Sequence, residues 1–198
     1  MSRYFMYGTS FGSVEQLMMQ APNFQTRKSG IVIQSNFNCR GGIRYNDLLK
    51  DCFSNIRNQA FKIRLRLLSA KFNGKIFINQ MHERRFYNAV RKHDIKLGDR
   101  TSRYVAALFL LTADERLWIL SEKTVYPTGF DFLTTNLKCI NTKGYALYQM
   151  AKTLWAGREY IKISEIADRG LIDDYTFKAI INASLIARYG TKTLLIEK

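Results

Sequence analysis

The chain has 198 residues, 46% of them apolar, which is enough to bury a core in one sizeable domain or two small ones and excludes disorder along its whole length. Lysine and arginine number 31 against 16 acidic residues, a net charge of +15, and an excess of this sign bears on partners such as phosphate polyanions rather than on fold. The longest apolar run, Tyr104 to Leu111, falls well short of the roughly 20 residues of a membrane span, and the first residues lack the pattern of a signal peptide, so the expectation is a cytoplasmic protein with no membrane partner.

In chain order, Ser13-Val14-Glu15-Gln16 has the form of a capping box and predicts a short helix ending near Pro22. The β-branched run Gly30 to Gln34 predicts a strand, followed by a turn-rich stretch from Ser35 to Gly42. Asn46 or Asp47 is placed to cap a helix carrying Leu48, Leu49, Cys52, Phe53 and Ile56. The period then changes: Phe61 to Leu67 alternates apolar and cationic residues. That alternation predicts a strand with Ile63, Leu65 and Leu67 on one face and Lys62, Arg64 and Arg66 on the other. A helix is the rival reading, because arginine and leucine favour one.

From about Phe77 the pattern is helical. Met81, Phe86, Tyr87 and Val90 mark one helix, which Gly98 ends. Thr101 or Ser102 starts a second through Leu111, and Thr112-Ala113-Asp114-Glu115 is a capping box for a third carrying Leu117 to Leu120. After a loop at Pro127 to Gly129, a helix runs from about Thr142 to Trp155 with Gly157 as its stop. Ser164-Glu165-Ile166 starts a short segment, Asp173 caps a long helix to Gly190, and Leu194 to Ile196 reads as an edge strand. The fold class expected is α+β and predominantly helical: a short mixed N-terminal part, residues 1–76, packed on a helical C-terminal part, residues 77–198, as one compact unit.

The charge is concentrated. Residues 57–103 hold thirteen basic side chains against three acidic ones and so carry ten of the fifteen net charges. The candidate nucleic-acid-binding residues are Lys62, Arg64, Arg66, Lys71, Arg84, Arg85, Arg91, Lys92, Arg100 and Arg103. A strand face (62, 64, 66) beside a helix (84, 85, 91, 92) would form a basic groove, and its arginines suit bidentate phosphate contacts. The competing reading is an ordinary solvated surface. Phe86 and Tyr87, at helical spacing, read as core before they read as base-stacking rings.

No catalytic signature emerges. His82 and His93 have no cysteine or carboxylate at a ligand spacing, and His82 reads as a surface or capping histidine. The pairs Asp114-Glu115 and Asp173-Asp174 stand where helix N-termini favour negative charge. Cys39, Cys52 and Cys139 are an odd set at wide spacing and read as structural thiols. Cys39, beside Arg40 and two glycines, lacks a histidine partner for a nucleophile's role. No metal, cofactor or small-molecule substrate is expected.

His82-Glu83-Arg84-Arg85-Phe86-Tyr87, then Val105 to Leu111, then Ala146 to Gly157, and Ile163-Ser164-Glu165-Ile166 together resemble a small helical family of unknown function carried on plasmids, phages and conjugative elements of Gram-positive bacteria. The chain lacks the Trp-Gln-Thr-containing stretch of that family between Thr128 and Lys143. The resemblance implies an accessory protein of a mobile element, a class that includes inhibitors of host defence such as anti-CRISPR proteins, and it assigns no catalytic residues. The function expected is therefore a non-enzymatic protein that binds nucleic acid, DNA or guide RNA, or a ribonucleoprotein, and blocks a nucleic-acid-guided nuclease such as a Cas9-type effector. The alternatives are a nuclease whose carboxylates meet only on folding, and a helix-turn-helix autoregulator within residues 102–121. Reversing Arg64, Arg66, Arg84 and Arg85 is expected to abolish anion binding.

Overall fold

A computed structural model describes residues 44–196. The chain divides into two units, Met1–Gly42 and Ile43–Lys198, and the described residues belong to the second. The predicted helix at Ser13 to Pro22, the strand at Gly30 to Gln34 and Cys39 with its neighbours lie outside the described residues.

Among the described residues eight α-helices follow in order: α1 (Tyr45–Cys52), α2 (Gln59–Ala70), α3 (Gln80–Lys92), α4 (Ser102–Leu111), α5 (Glu115–Ser121), α6 (Thr142–Ala156), α7 (Ile163–Ala167) and α8 (Asp174–Tyr189). Between α5 and α6 a small antiparallel hairpin pairs β1 (Val125–Tyr126) with β2 (Gly129–Phe130), with Val125 opposite Phe130. The fold is α+β and predominantly helical, as expected.

Short polar side chains start most of these helices by accepting from an otherwise unpaired N–H of the first turn. Asn58 accepts from Phe61 N, Asn79 from His82 N, Asp114 from Leu117 N, Asn141 from Gly144 N and Asp173 from Thr176 N. The acidic pairs Asp114-Glu115 and Asp173-Asp174 thus serve helix N-termini, as their positions suggest. Three details differ from expectation. Helix α3 ends at Lys92, with His93 as its C-cap, well before Gly98. Helix α1 begins at Tyr45 after Arg44, ahead of Asn46 and Asp47. The cap of α5 is Asp114, because Thr112 turns its hydroxyl back to donate to Leu108 O at the end of α4. At the other end of α6, Gly157 takes φ +68°, a left-handed conformation that glycine adopts at little cost.

Helix α4 is the axis of the core. Every residue from Tyr104 to Leu111 is buried, and a helix apolar on all sides has to be covered on all sides. It packs most extensively on α8 and α6, and α3 covers it again through His82 and Phe109. Ala106 and Ala107 of α4 and Ala179 and Ala183 of α8 are fully buried, and small side chains let helix axes come close. One buried amide ties distant segments together: Asn182 of α8 accepts from the Tyr45 hydroxyl at 2.6 Å and donates to Ile76 O at 2.6 Å. Ile76 and Phe77, on either side of the sequence-based division at 76/77, are both buried in the same hydrophobic core.

The hairpin packs through aromatic rings. Tyr104 stacks on Phe130 at 4.5 Å, and Trp155 meets Phe130 edge-on. Gly129 is needed there, since a Cβ would lie 2.9 Å from the Trp155 ring. The tail Leu194 to Ile196, predicted as an edge strand, instead follows and completes a 3-10 turn over Thr191–Leu195. Among the described residues, no helix is long and apolar enough to cross a membrane.

Candidate nucleic-acid interface

The predicted strand at Phe61 to Leu67 is part of helix α2. Both periods were written into the segment, and the helical one is satisfied: Phe61, Leu65 and Leu68, spaced by four and three, turn towards the core. Arg64 falls on the same face and is 3% exposed. Its guanidinium donates to Ile166 O at 3.0 Å, to Asp173 O at 3.0 Å and to the Asp174 carboxylate at 3.3 Å, while its carbon lies 4.2 Å over the Phe177 ring. Burial pushes the guanidinium below its usual pKa, and Asp174 opposes that shift. Arg64 is therefore withdrawn from the candidate set, because its guanidinium is almost wholly buried and is engaged by two carbonyls, a carboxylate and a ring face. Its position binds the carbonyls where α7 ends and α8 begins.

The same rotation turns Ile63 and Leu67, expected on the inner face of a strand, out to solvent. The strand-and-helix groove is accordingly absent. Of the other α2 candidates, Lys62 is half-buried, whereas Arg66 and the C-cap residue Lys71 are exposed.

Helix α3 is sharply two-sided. His82, Phe86 and Ala89 are buried, and the exposed Met81, Arg84, Asn88 and Arg91 follow at intervals of three and four along the opposite face. Arg91 donates to the Asn88 side chain at 2.6 Å. Arg84 and Arg91, two turns apart, stand about 10 Å from each other along the axis. Arg85, one position round, is half-buried and donates to Thr112 O at 2.9 Å and Ala113 O at 3.2 Å, where it holds the carbonyls just after the end of α4. Lys92 is exposed but pairs with Glu122 at 2.7 Å. Arg85 and Lys92 thus have internal partners, which reduces what they can offer a ligand. Arg100 and Arg103 are exposed at the entry to α4.

Nine of the thirteen cations in 57–103 are exposed and make no ion pair among the described residues: Arg57, Arg66, Lys71, Lys75, Arg84, Arg91, Lys96, Arg100 and Arg103. Helix α2 contains no acidic residue, and Glu83 is the one carboxylate of α3.

His82, expected at the surface, is fully buried. Its Nδ1 accepts from Ile78 N at 3.4 Å and its Nε2 donates to Phe109 O at 2.9 Å, which uses both nitrogens of a neutral ring. Burial lowers its pKa to about 3, helped by the nearby charges of Arg85 and Lys178. Phe86 is core, as expected, and Tyr87 packs half-buried against Phe77. The base-stacking role therefore has no support from these two rings. Cys52 is half-buried, with its thiol raised to about 11 by burial. Cys139 is exposed.

Set beside known proteins, the chain matches no protein-family model, no curated protein and no solved structure.

Proposed function

We propose that the protein binds a nucleic acid through the exposed arginines and lysines of residues 57–103, without acting on it chemically. The observation that supports this most is the outer face of α3, where Arg84 and Arg91 are held in register by a helix whose other side is locked into the core. Each guanidinium can donate two parallel hydrogen bonds to one phosphate. Arg66, Lys71, Arg100 and Arg103 extend the basic surface, and Arg64 and Arg85 do not belong to it. In the anti-defence reading that the sequence resemblance implies, the polyanion would be the guide RNA or target DNA of a Cas9-type effector in the cytoplasm, and the protein an inhibitor that occupies it.

Labelled guide RNA, duplex DNA and an assembled Cas9-type complex, each titrated at two salt concentrations, test the reading. Binding that weakens steeply with salt is expected for at least one of them, because bound phosphates release counterions. Salt-insensitive or absent binding to all three would overturn it. Magnesium or manganese in the same mixtures should leave the strands intact, and cleavage would replace the binding role by a nuclease.

A further inference from the structure

We infer that the outer face of α2 is a docking surface for an acidic amphipathic helix of a partner protein. Ile63 and Leu67, one turn apart, are 51% and 41% exposed, and Ala60 and Ala70 are exposed on the same face. They come in addition to the core-facing apolar side of α2, where a surface helix ordinarily keeps such side chains, and adjacent exposed aliphatic side chains rimmed by charge mark interaction sites. Beside the stripe lies an open depression of about 360 Å³, lined by Ala60, Ile63, Arg64, Ala167, Asp168 and Arg169, with room for one apolar side chain of an incoming helix.

The rim defines the partner's charge. Lys62 and Arg66 flank the stripe along one side, with Lys71 at its C-terminal end and Arg169 across the depression, and none of the four makes an ion pair among the described residues. Asp168 is the carboxylate at the depression, and its Oδ1 already accepts from Gly170 N at 2.7 Å. An aliphatic stripe with a cationic border is complementary to a helix carrying leucine-like anchors at i and i+4 with glutamates or aspartates on either side. Other occupants fit less well. A second copy would bring Lys62, Arg66 and Lys71 against themselves. A bilayer would gain only two large aliphatic side chains. Nucleic acid bases find no ring to stack on at Ile63 and Leu67.

The test uses the full chain and a fluorescein-labelled amphipathic peptide of about four helical turns, with leucines in i, i+3, i+4, i+7 register and glutamates on the flanks. Saturable binding by fluorescence anisotropy is expected. It should weaken about tenfold or more for the same peptide with lysine at every glutamate, and equally for the double variant Ile63→Ser, Leu67→Ser. Should that variant fail to fold by circular dichroism, Arg66→Glu with Arg169→Glu, both at exposed positions, must produce the same loss. The variant Arg84→Ala, Arg91→Ala should bind the peptide as the parent does, which separates this surface from the α3 part of the nucleic-acid face; Arg66 and Lys71 are shared by the two. Equal binding of the two peptides, or undiminished binding by the Ser variant, would overturn the inference. So would a dimer in sedimentation, or sedimentation with anionic vesicles, that Ile63→Ser abolishes.

Discussion

Helices α2 and α3 come from one basic stretch of chain, and each commits one nitrogen-rich side chain to the interior, but they do so with opposite charge states. Arg64 of α2 enters as a cation because three acceptors wait for it: two carbonyls at the junction of α7 and α8, and the Asp174 carboxylate. His82 of α3 enters as a neutral ring, since its site offers one carbonyl and one N–H, and the nearest charges are cationic. The outer faces differ in the converse sense, aliphatic with a cationic rim on α2, arginine-rich on α3. A buried charge costs several kcal/mol unless it is paired and hydrogen-bonded. Which cations of a basic segment remain available to a ligand is therefore decided by where backbone carbonyls end, and the count of arginines does not reveal it.

The contrast can be broken most strongly at Arg64. Replacement by alanine should cost about 3 kcal/mol in urea unfolding, because it strands the Ile166 and Asp173 carbonyls and uncovers Phe177. Stability unchanged by that substitution would show that the guanidinium is not bound as described.

Acid should find the other buried group. The folded pKa of His82 lies near 3, below the 6.5 of an exposed imidazole, so between those values the unfolded chain holds a proton that the folded chain refuses. The stability from a neutral His82 is complete above about pH 6.5 and declines as pH falls towards 3, by about 1.4 kcal/mol per pH unit for one proton. Going from pH 6 to 4.5 should then cost about 2 kcal/mol, and His82→Gln should flatten that part of the profile. A profile equally steep in His82→Gln would place the sensitive group elsewhere.

A smaller effect, about 1–2 kcal/mol, is expected for Arg85→Ala, which frees the carbonyls of Thr112 and Ala113. For Arg84→Ala with Arg91→Ala the change in stability should stay within about 0.5 kcal/mol per site, the range of exposed positions without structural partners. Thermal unfolding of the two variants side by side ranks them, and a reversed order would mean that the inner and outer faces of α3 have been exchanged.

Much of this architecture can be read from residue spacing. The buried run of α4, the two-sided α3, the Asp173 cap and the Gly157 stop are local patterns, and each element stands close to where its pattern placed it. The segment 61–67 misled because alternation of period two and helical spacing share Phe61 and Leu65. The inward position of Leu68, the cap at Asn58 and the outward turn of Ile63 and Leu67 separate the two readings. Arg64 stands in i, i+3 relation to Phe61 and i, i+4 relation to Leu68, so its side was visible in principle. Its partners were not, since they lie more than a hundred residues further along. His82 was missed for the same reason: nothing nearby in the chain announces Phe109 O. Of the candidate interface, the exposed members Arg66, Lys71, Arg84, Arg91, Arg100 and Arg103 could be named from charge clustering alone, but their division from Arg64, Arg85 and Lys92 required tertiary contacts.

The central claim is that a local exposed face, and not the total charge, engages the polyanion. The most direct measurement is the slope of log binding constant against log salt for a labelled duplex, compared between two variants that remove arginines from opposite sides. Arg84→Ala with Arg91→Ala should lower the magnitude of the slope by about 1.8, near 0.9 for each lost phosphate contact. Arg64→Met, which keeps side-chain volume in the core, should leave the slope of the folded protein unchanged. Equal changes per arginine removed in both variants would contradict the account and leave only bulk charge to explain binding.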